Sequence, residues 1–229
     1  MIVSIHQPDY IPYLGYFYKI AQSDRFVYLD DAQFSNDNMH HWNRIKTPQG
    51  ETRLKIPTDH HFGDPINAVR TKDELGWKKK HLRTIEMNYA RAPFYKEIFP
   101  QFEELLNAEY ANLADMNVAI NTWIAKSFGF KAEFYRTSEM TINTVREERV
   151  IDICVMMEGD TYISGNGARV YQSEEHFEAR GVKLQYTDYH PFPYPQLWKE
   201  FLPNMSVLDY IFNCGFDWER AAAGLRGEA

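Results

Sequence analysis

The chain has 229 residues, 44 % hydrophobic and 25 % charged, which fits one large soluble domain and excludes disorder as its main state. Asp plus Glu outnumber Lys plus Arg by 32 to 25, and the formal net charge of −7 argues against a non-specific nucleic-acid binder, which needs a basic face. Two cysteines, Cys154 and Cys214, make no disulfide framework, no basic n-region opens the chain, and no apolar run approaches the roughly 18 residues of a membrane span, so a reduced, cytoplasmic protein without a span is expected.

Residues 2–5 form a short apolar run that reads as a buried strand. Pro12 suits the first turn of a helix, and Leu14, Phe17, Tyr18 and Ala21 follow at helical spacing. Residues 25–30 read as a second strand, which makes a strand–helix–strand opening and the start of an α/β layer. Residues 31–50 are polar throughout and read as a long surface loop; 53–57 is a short strand that suits a hairpin. Helical patterns follow over 77–90, 102–106 and 113–128, punctuated by Pro93 and Pro100 and ended by Gly129. Strand character returns at 131–135, 161–164 and 182–187, with helices at 147–158, 173–179 and 207–213. The expected fold is α/β: a single domain over 1–229 with a mostly parallel central sheet and a helical insertion or cap at 74–129.

His6 falls at the carboxyl end of the first strand, just before a helix, where open α/β sheets bind ligands. Gln7 and Tyr10 lie in the same turn. Gly15 and Lys19 share a helix face, so a ligand can approach the glycine and present phosphate to the lysine; close helix–sheet packing and a solvated lysine are the alternative. Asp30, Asp31 and Gln33 follow the second strand, where paired carboxylates can divide into a general base and a positioning group. Asn43-Arg44 offers an arginine fork for phosphate or carboxylate. Trp77-Lys78-Lys79-Lys80-His81-Leu82-Arg83 is the densest basic run, with Lys79, His81 and Arg83 as candidate diphosphate ligands against the commoner reading of a solvated face. Ser164-Gly165-Asn166-Gly167-Ala168-Arg169 follows a strand and suits an anion-binding turn, with Tyr171 beside it; it is neither a Walker loop nor a dinucleotide fingerprint. Tyr10, Trp77 and Tyr171 are the ring-stacking candidates. The adjacent pairs His40-His41 and His60-His61 lack metal-ligand spacing, so no metal site is expected, and no cofactor is legible.

These residues carry a resemblance to the WbqC-like family, found among bacterial surface-polysaccharide and sugar-modification genes. The family's opening pattern matches His6, Gln7, Pro8, Tyr10, Pro12, Gly15, Tyr16, Lys19, Ile20, Asp24, Asp30, Asp31, Gln33 and Phe34. Its Asn-Arg pair matches Asn43 and Arg44, and its basic helix looks like Trp77 to Arg83. Its later elements match Tyr162, Ser164, Gly165, Gly167, Ala168 and Tyr171, then Tyr194 to Gln196 and Ser206 to Gly215. The resemblance implies a role in surface-glycan or O-antigen assembly, as a glycyl-like aminoacyl or acyl transferase acting on an amino sugar or sugar nucleotide. The opening also looks like nucleotidyltransferase folds, but their His-x-Gly-His pair is missing: Asp9 and Pro12 fall where it would lie.

The expectation is therefore an enzyme that transfers an acyl group to a small, phosphate-bearing substrate. His6 or Asp31 is its general base. Lys19, Arg44 and the turn at Ser164–Arg169 hold phosphate. Nucleotidyl transfer on the same fold and a non-catalytic sugar-nucleotide-binding module remain as alternatives, and homo-oligomerisation is left open.

Overall fold

The first strand, β1 (Ile2–His6), is apolar because it lies at the centre of a parallel sheet and is covered on both faces. The structure, a computed structural model, describes residues 1–228. Helix α1 (Leu14–Ala21) leads to β2 (Arg25–Tyr28), then come two antiparallel pairs, β3 (Trp42–Thr47) with β4 (Gly50–Lys55) and β5 (Thr58–Asp59) with β6 (Arg70–Thr71). Three helices follow, α2 (Trp77–Tyr89), α3 (Tyr95–Asn107) and α4 (Leu113–Ser127). The chain then alternates through β7 (Glu133–Arg136), α5 (Arg146–Met156), β8 (Thr161–Ser164), α6 (Glu174–Glu178) and β9 (Lys183–Tyr186), and ends with α7 (Val207–Cys214) and α8 (Trp218–Leu225).

The five long-range strands pair in parallel in the order β7-β2-β1-β8-β9. The fold is the expected α/β class with a parallel central sheet. Counted along the chain, its strands stand third, second, first, fourth, fifth, so the order reverses between β1 and β8. In open α/β sheets the crevice at the carboxyl ends of that strand pair is where ligands bind.

Strand alternation sends side chains to two cores. Phe26 and Tyr28 belong to a large aromatic cluster with Phe17, Ile120, Ile124 and Phe128, on the face carrying α1 and α4. Val3, Ile5 and Val27 join Ile151, Cys154 and Phe177 on the opposite face, under α5 and α6. Burying each of these side chains contributes about 1.5–3 kcal/mol.

Besides the short β5–β6 pair, three elements differ from the sequence expectation. Residues 42–47 are a strand, not loop, and turn through Pro48-Gln49 into β4. Its inward residues include Asn43 and Lys46, both buried, so the polar–apolar alternation that marks a half-buried strand is absent. Pro100 lies inside α3 instead of ending a helix. Pro100 is exposed, on the solvent side of the helix, where the carbonyl that loses its partner is open to water. Helix α8 lies beyond the last element the periodicity suggested.

Candidate functional site

A cavity of about 480 Å³ opens at the reversal point between β1 and β8. One wall is the end of β1 with α1: His6, Gln7, Tyr13, Gly15, Tyr16 and Lys19. The other is the end of β8, Ser164, and the loop after it, with Gly165, Asn166, Gly167, Ala168, Tyr171 and Gln172, and Thr187 and Tyr189 close it from beyond β9. Among the described residues the lining holds no carboxylate.

The His6 ring is held by its neighbours. Its Nδ1 lies 3.0 Å from the Gln7 carbonyl oxygen, which can only accept, so Nδ1 carries the proton. In the neutral ring Nε2 then keeps a free lone pair. The Tyr16 ring meets it edge-on at 4.7 Å, and the Tyr16 hydroxyl donates to the same Gln7 carbonyl at 3.0 Å. Asp9 Oδ2 stands 3.9 Å from Nδ1, while Asp9 Oδ1 accepts from Nδ1 of buried His40 at 3.0 Å. Although the His6 side chain keeps 37 % exposure, desolvation within the cleft, helped by the charge of Lys19 and partly offset by Asp9, lowers its pKa to about 4. His6 is therefore neutral at pH 7.

Helix α4 positions this turn. Asn117 donates to the carbonyls of Pro8 (2.9 Å) and His40 (2.7 Å), and Asn121 donates to that of Asp9 (2.8 Å). The two asparagines are one helical turn apart and share a buried face, so α4 clamps both chain segments that carry the His6–Asp9–His40 row. Asn43 donates to the carbonyls of Tyr10 and Ile11, both at 3.0 Å, and braces a turn in which Ile11 adopts φ 40°.

Lys19 is 4 % exposed and its Nζ donates to the Ile5 carbonyl at 2.7 Å. Among the described residues no carboxylate lies within ion-pair distance of it. Desolvation lowers its pKa to about 7, with Asp9 partly opposing. Gly15 is required by packing: a Cβ there would stand 2.4 Å from the Tyr13 ring and 2.8 Å from that of Tyr189. At Gly165 and Gly167 the same position is open space.

The model of the WbqC-like protein family matches residues 7–221. The chain belongs to this family. The uncharacterized protein Rv1507c of Mycobacterium tuberculosis is 31 % identical to it over 217 residues, which is 93 % of this chain and 94 % of that protein. No solved structure matches the chain.

The WbqC-like motifs divide between the cleft and the frame around it. His6, Gln7, Gly15, Lys19, Ser164, Gly165, Asn166, Gly167 and Tyr171 line the cavity. Arg169 leans over the Tyr186 ring at 4.2 Å, on the outer side of the same loop. Asp31 is engaged elsewhere, accepting from Arg149 and from the Thr137 hydroxyl, each at 2.6 Å. Its neighbour Asp30 is buried against Arg136 and Ser138. Tyr10, Trp77 and His81 are a core cluster: Tyr10 Oη bonds His81 Nδ1 at 3.0 Å, and the Trp77 and His81 rings meet at 5.0 Å. Arg44 pairs with Glu51 and Arg83 with Glu86, while Lys79 faces solvent and Gln33 is exposed beside a separate depression. Asp9, His40, Tyr13, Tyr16 and Tyr189 were not among the site residues expected from the sequence, although Tyr16 falls in the family's opening pattern. Asp9 is three residues after His6, and the paired asparagines on an apolar helix face are a legible sign of a polar clamp.

Proposed function

We propose that this WbqC-like protein is a small-molecule transferase that moves an aminoacyl or acyl group onto an amino sugar or sugar nucleotide in the cleft between β1 and β8. The observation that carries the reading is the His6 ring: neutral, protonated on Nδ1, oriented by Gln7 and Asp9, with Nε2 left to accept a proton in a cavity. The substrate nitrogen attacks the carbonyl carbon of an activated acyl donor, and a C–N bond forms. The proton released from that nitrogen passes to His6 Nε2. The bond from the carbonyl carbon to the leaving group then breaks, and His6 returns the proton to the leaving group. Asp9 is a positioning residue, which holds the ring and stabilises its transient positive charge. Asp31, paired with Arg149, is the weaker candidate for the base.

A second reading is nucleotidyl transfer, favoured by the strand order, which places the cleft where α/β folds hold nucleotides. The test pairs acyl donors with amino sugars and nucleoside diphosphate amino sugars, and follows amide formation by mass spectrometry. With a productive pair, His6→Ala is expected to keep its fold and lose at least about 100-fold in turnover. Unchanged turnover removes His6 as the base. Pyrophosphate release from a nucleoside triphosphate selects the second reading, and ligand stabilisation without conversion of any pair points to a binding module.

A further inference from the structure

We infer that Lys19 seats the phosphate or diphosphate of the substrate, so the ligand of the cleft is a phosphate-bearing sugar and a free amino sugar is rejected. The inference deepens the transferase reading and rests on it for which substrate carries the phosphate.

Three observations carry it. First, Lys19 is buried in the wall of a cavity and makes one hydrogen bond, to the Ile5 carbonyl, so two N–H groups of its ammonium have no protein acceptor among the described residues. A buried charge in this state is costly, and an anion in the cavity would complete it. Second, the lining holds no carboxylate among the described residues, in a chain of net charge −7. The nearest acid, Asp9, lies behind the lining and is engaged by His40, so a substrate ammonium entering the cleft would meet Lys19 with no carboxylate of the lining to receive it. Third, the opposite wall of the cavity is Ser164 at the end of β8 and the loop after it, whose two glycines have open space at their Cβ positions, so a ligand can reach its backbone.

Proton coupling follows from the same geometry. The titratable groups facing Lys19 are His6 at the end of β1, Asp9 in the following turn, Tyr16 on α1, Tyr162 on β8, and Tyr13 and Tyr189 at the mouth. Asp9 is the acid that acts on Lys19, and it is already bonded to His40. With a pKa near 7, the empty site is a mixture of charged and neutral lysine, and an anion selects the charged form. Binding therefore takes up a proton, and affinity falls as pH rises through 7.

The experiment is calorimetric titration of the full chain with a nucleoside diphosphate hexose, a hexose 1-phosphate, inorganic pyrophosphate and glucosamine. The diphosphate diester keeps its own charge constant from weakly acid to weakly alkaline solution, so its pH dependence reports the protein. The expected result is binding of at least one phosphate compound and none of glucosamine, with affinity for the diester falling up to about tenfold per pH unit above 7 and net proton uptake in paired buffers. The diester and the hexose phosphate together tell whether the phosphate belongs to a nucleotide or to the sugar alone. Lys19→Met is expected to weaken binding at least about tenfold, and its unliganded melting temperature to rise, because a neutral chain replaces a desolvated ammonium. Lys19→Arg is expected to bind the diester with no pH dependence near 7, because a guanidinium does not titrate there. Binding of glucosamine without any phosphate compound overturns the inference, as does pH-independent affinity without proton uptake, or full affinity in Lys19→Met. Proton-coupled anion binding with no conversion of any donor and acceptor pair leaves the anion seat standing and removes the transferase reading. Efficient turnover of a free amino sugar does the reverse.

Discussion

His6, Asp9 and Lys19 are close in sequence, yet their chemistry comes from what surrounds them. The Gln7 carbonyl fixes the tautomer of His6, Asp9 raises its basicity, and Lys19 and burial lower it. Replacing Asp9 with Asn removes the raising influence and keeps the shape. The His6 pKa is expected to fall below its already lowered value of about 4, followed by NMR titration of the imidazole nitrogens. A rise, or loss of the Nδ1-protonated tautomer in the neutral state, would show that Asp9 does not act on the ring as described. The cysteines stand apart from this chemistry. Burial pushes Cys154 to about 12 and Cys214 to about 11, so neither offers a thiolate at neutral pH.

Between residue and molecule stand the elements that hold the site in place. Helix α4 presents Asn117 and Asn121 to the carbonyls of Pro8, Asp9 and His40, joining two loops that make no regular structure of their own. Asn117→Ala leaves two buried carbonyls without a donor and is expected to cost about 2 kcal/mol or more, measured by urea denaturation. A loss below about 0.5 kcal/mol would mean that water replaces the side chain. The segment from Asp188 to Met205 has no helix or strand, but buried Asp209 on α7 anchors it by accepting from Tyr194 at 2.8 Å and Gln196 at 2.7 Å, with Tyr89 of α2 as a third donor at 2.7 Å. Lys46 of β3 adds hydrogen bonds to Gln196 and to the Glu200 carbonyl. In this way an irregular strap holds Tyr189 against Tyr13 at the mouth of the cleft. The alternating helices and strands were legible because each buries one apolar face. The β3 strand was not, because it buries polar side chains whose partners lie far along the chain.

At the scale of the molecule, burial makes stability depend on pH. His6, His41 and His81 each have a pKa lowered to about 4 in the fold, from 6.5, with desolvation as the largest cause. The unfolded chain therefore binds more protons between those values, and stability falls as pH drops from 6.5 toward 4. Lys19 acts in the same direction at higher pH, where the cost of burying its charge fades from about 7 toward 10.5. His176, raised by its Glu147 partner, opposes this but is exposed and counts for little. Urea midpoints are expected to rise from pH 4.5 to 6.5; a flat profile would mean that the three histidines open to solvent before they titrate. By itself the sequence determined the class of fold, through apolar periodicity and the placement of glycine and proline, and the family, through its motifs, because both are local properties of the chain. Only the tertiary structure decided which polar groups pair. Asp31 and Arg149 meet across 118 positions, Tyr10 and His81 across 71, and Lys19, influenced by Asp9 only from a distance, forms no ion pair among the described residues. A charged or aromatic residue reads the same in sequence whether it is paired, buried in a core or left open to a ligand, since that outcome depends on neighbours brought in by packing.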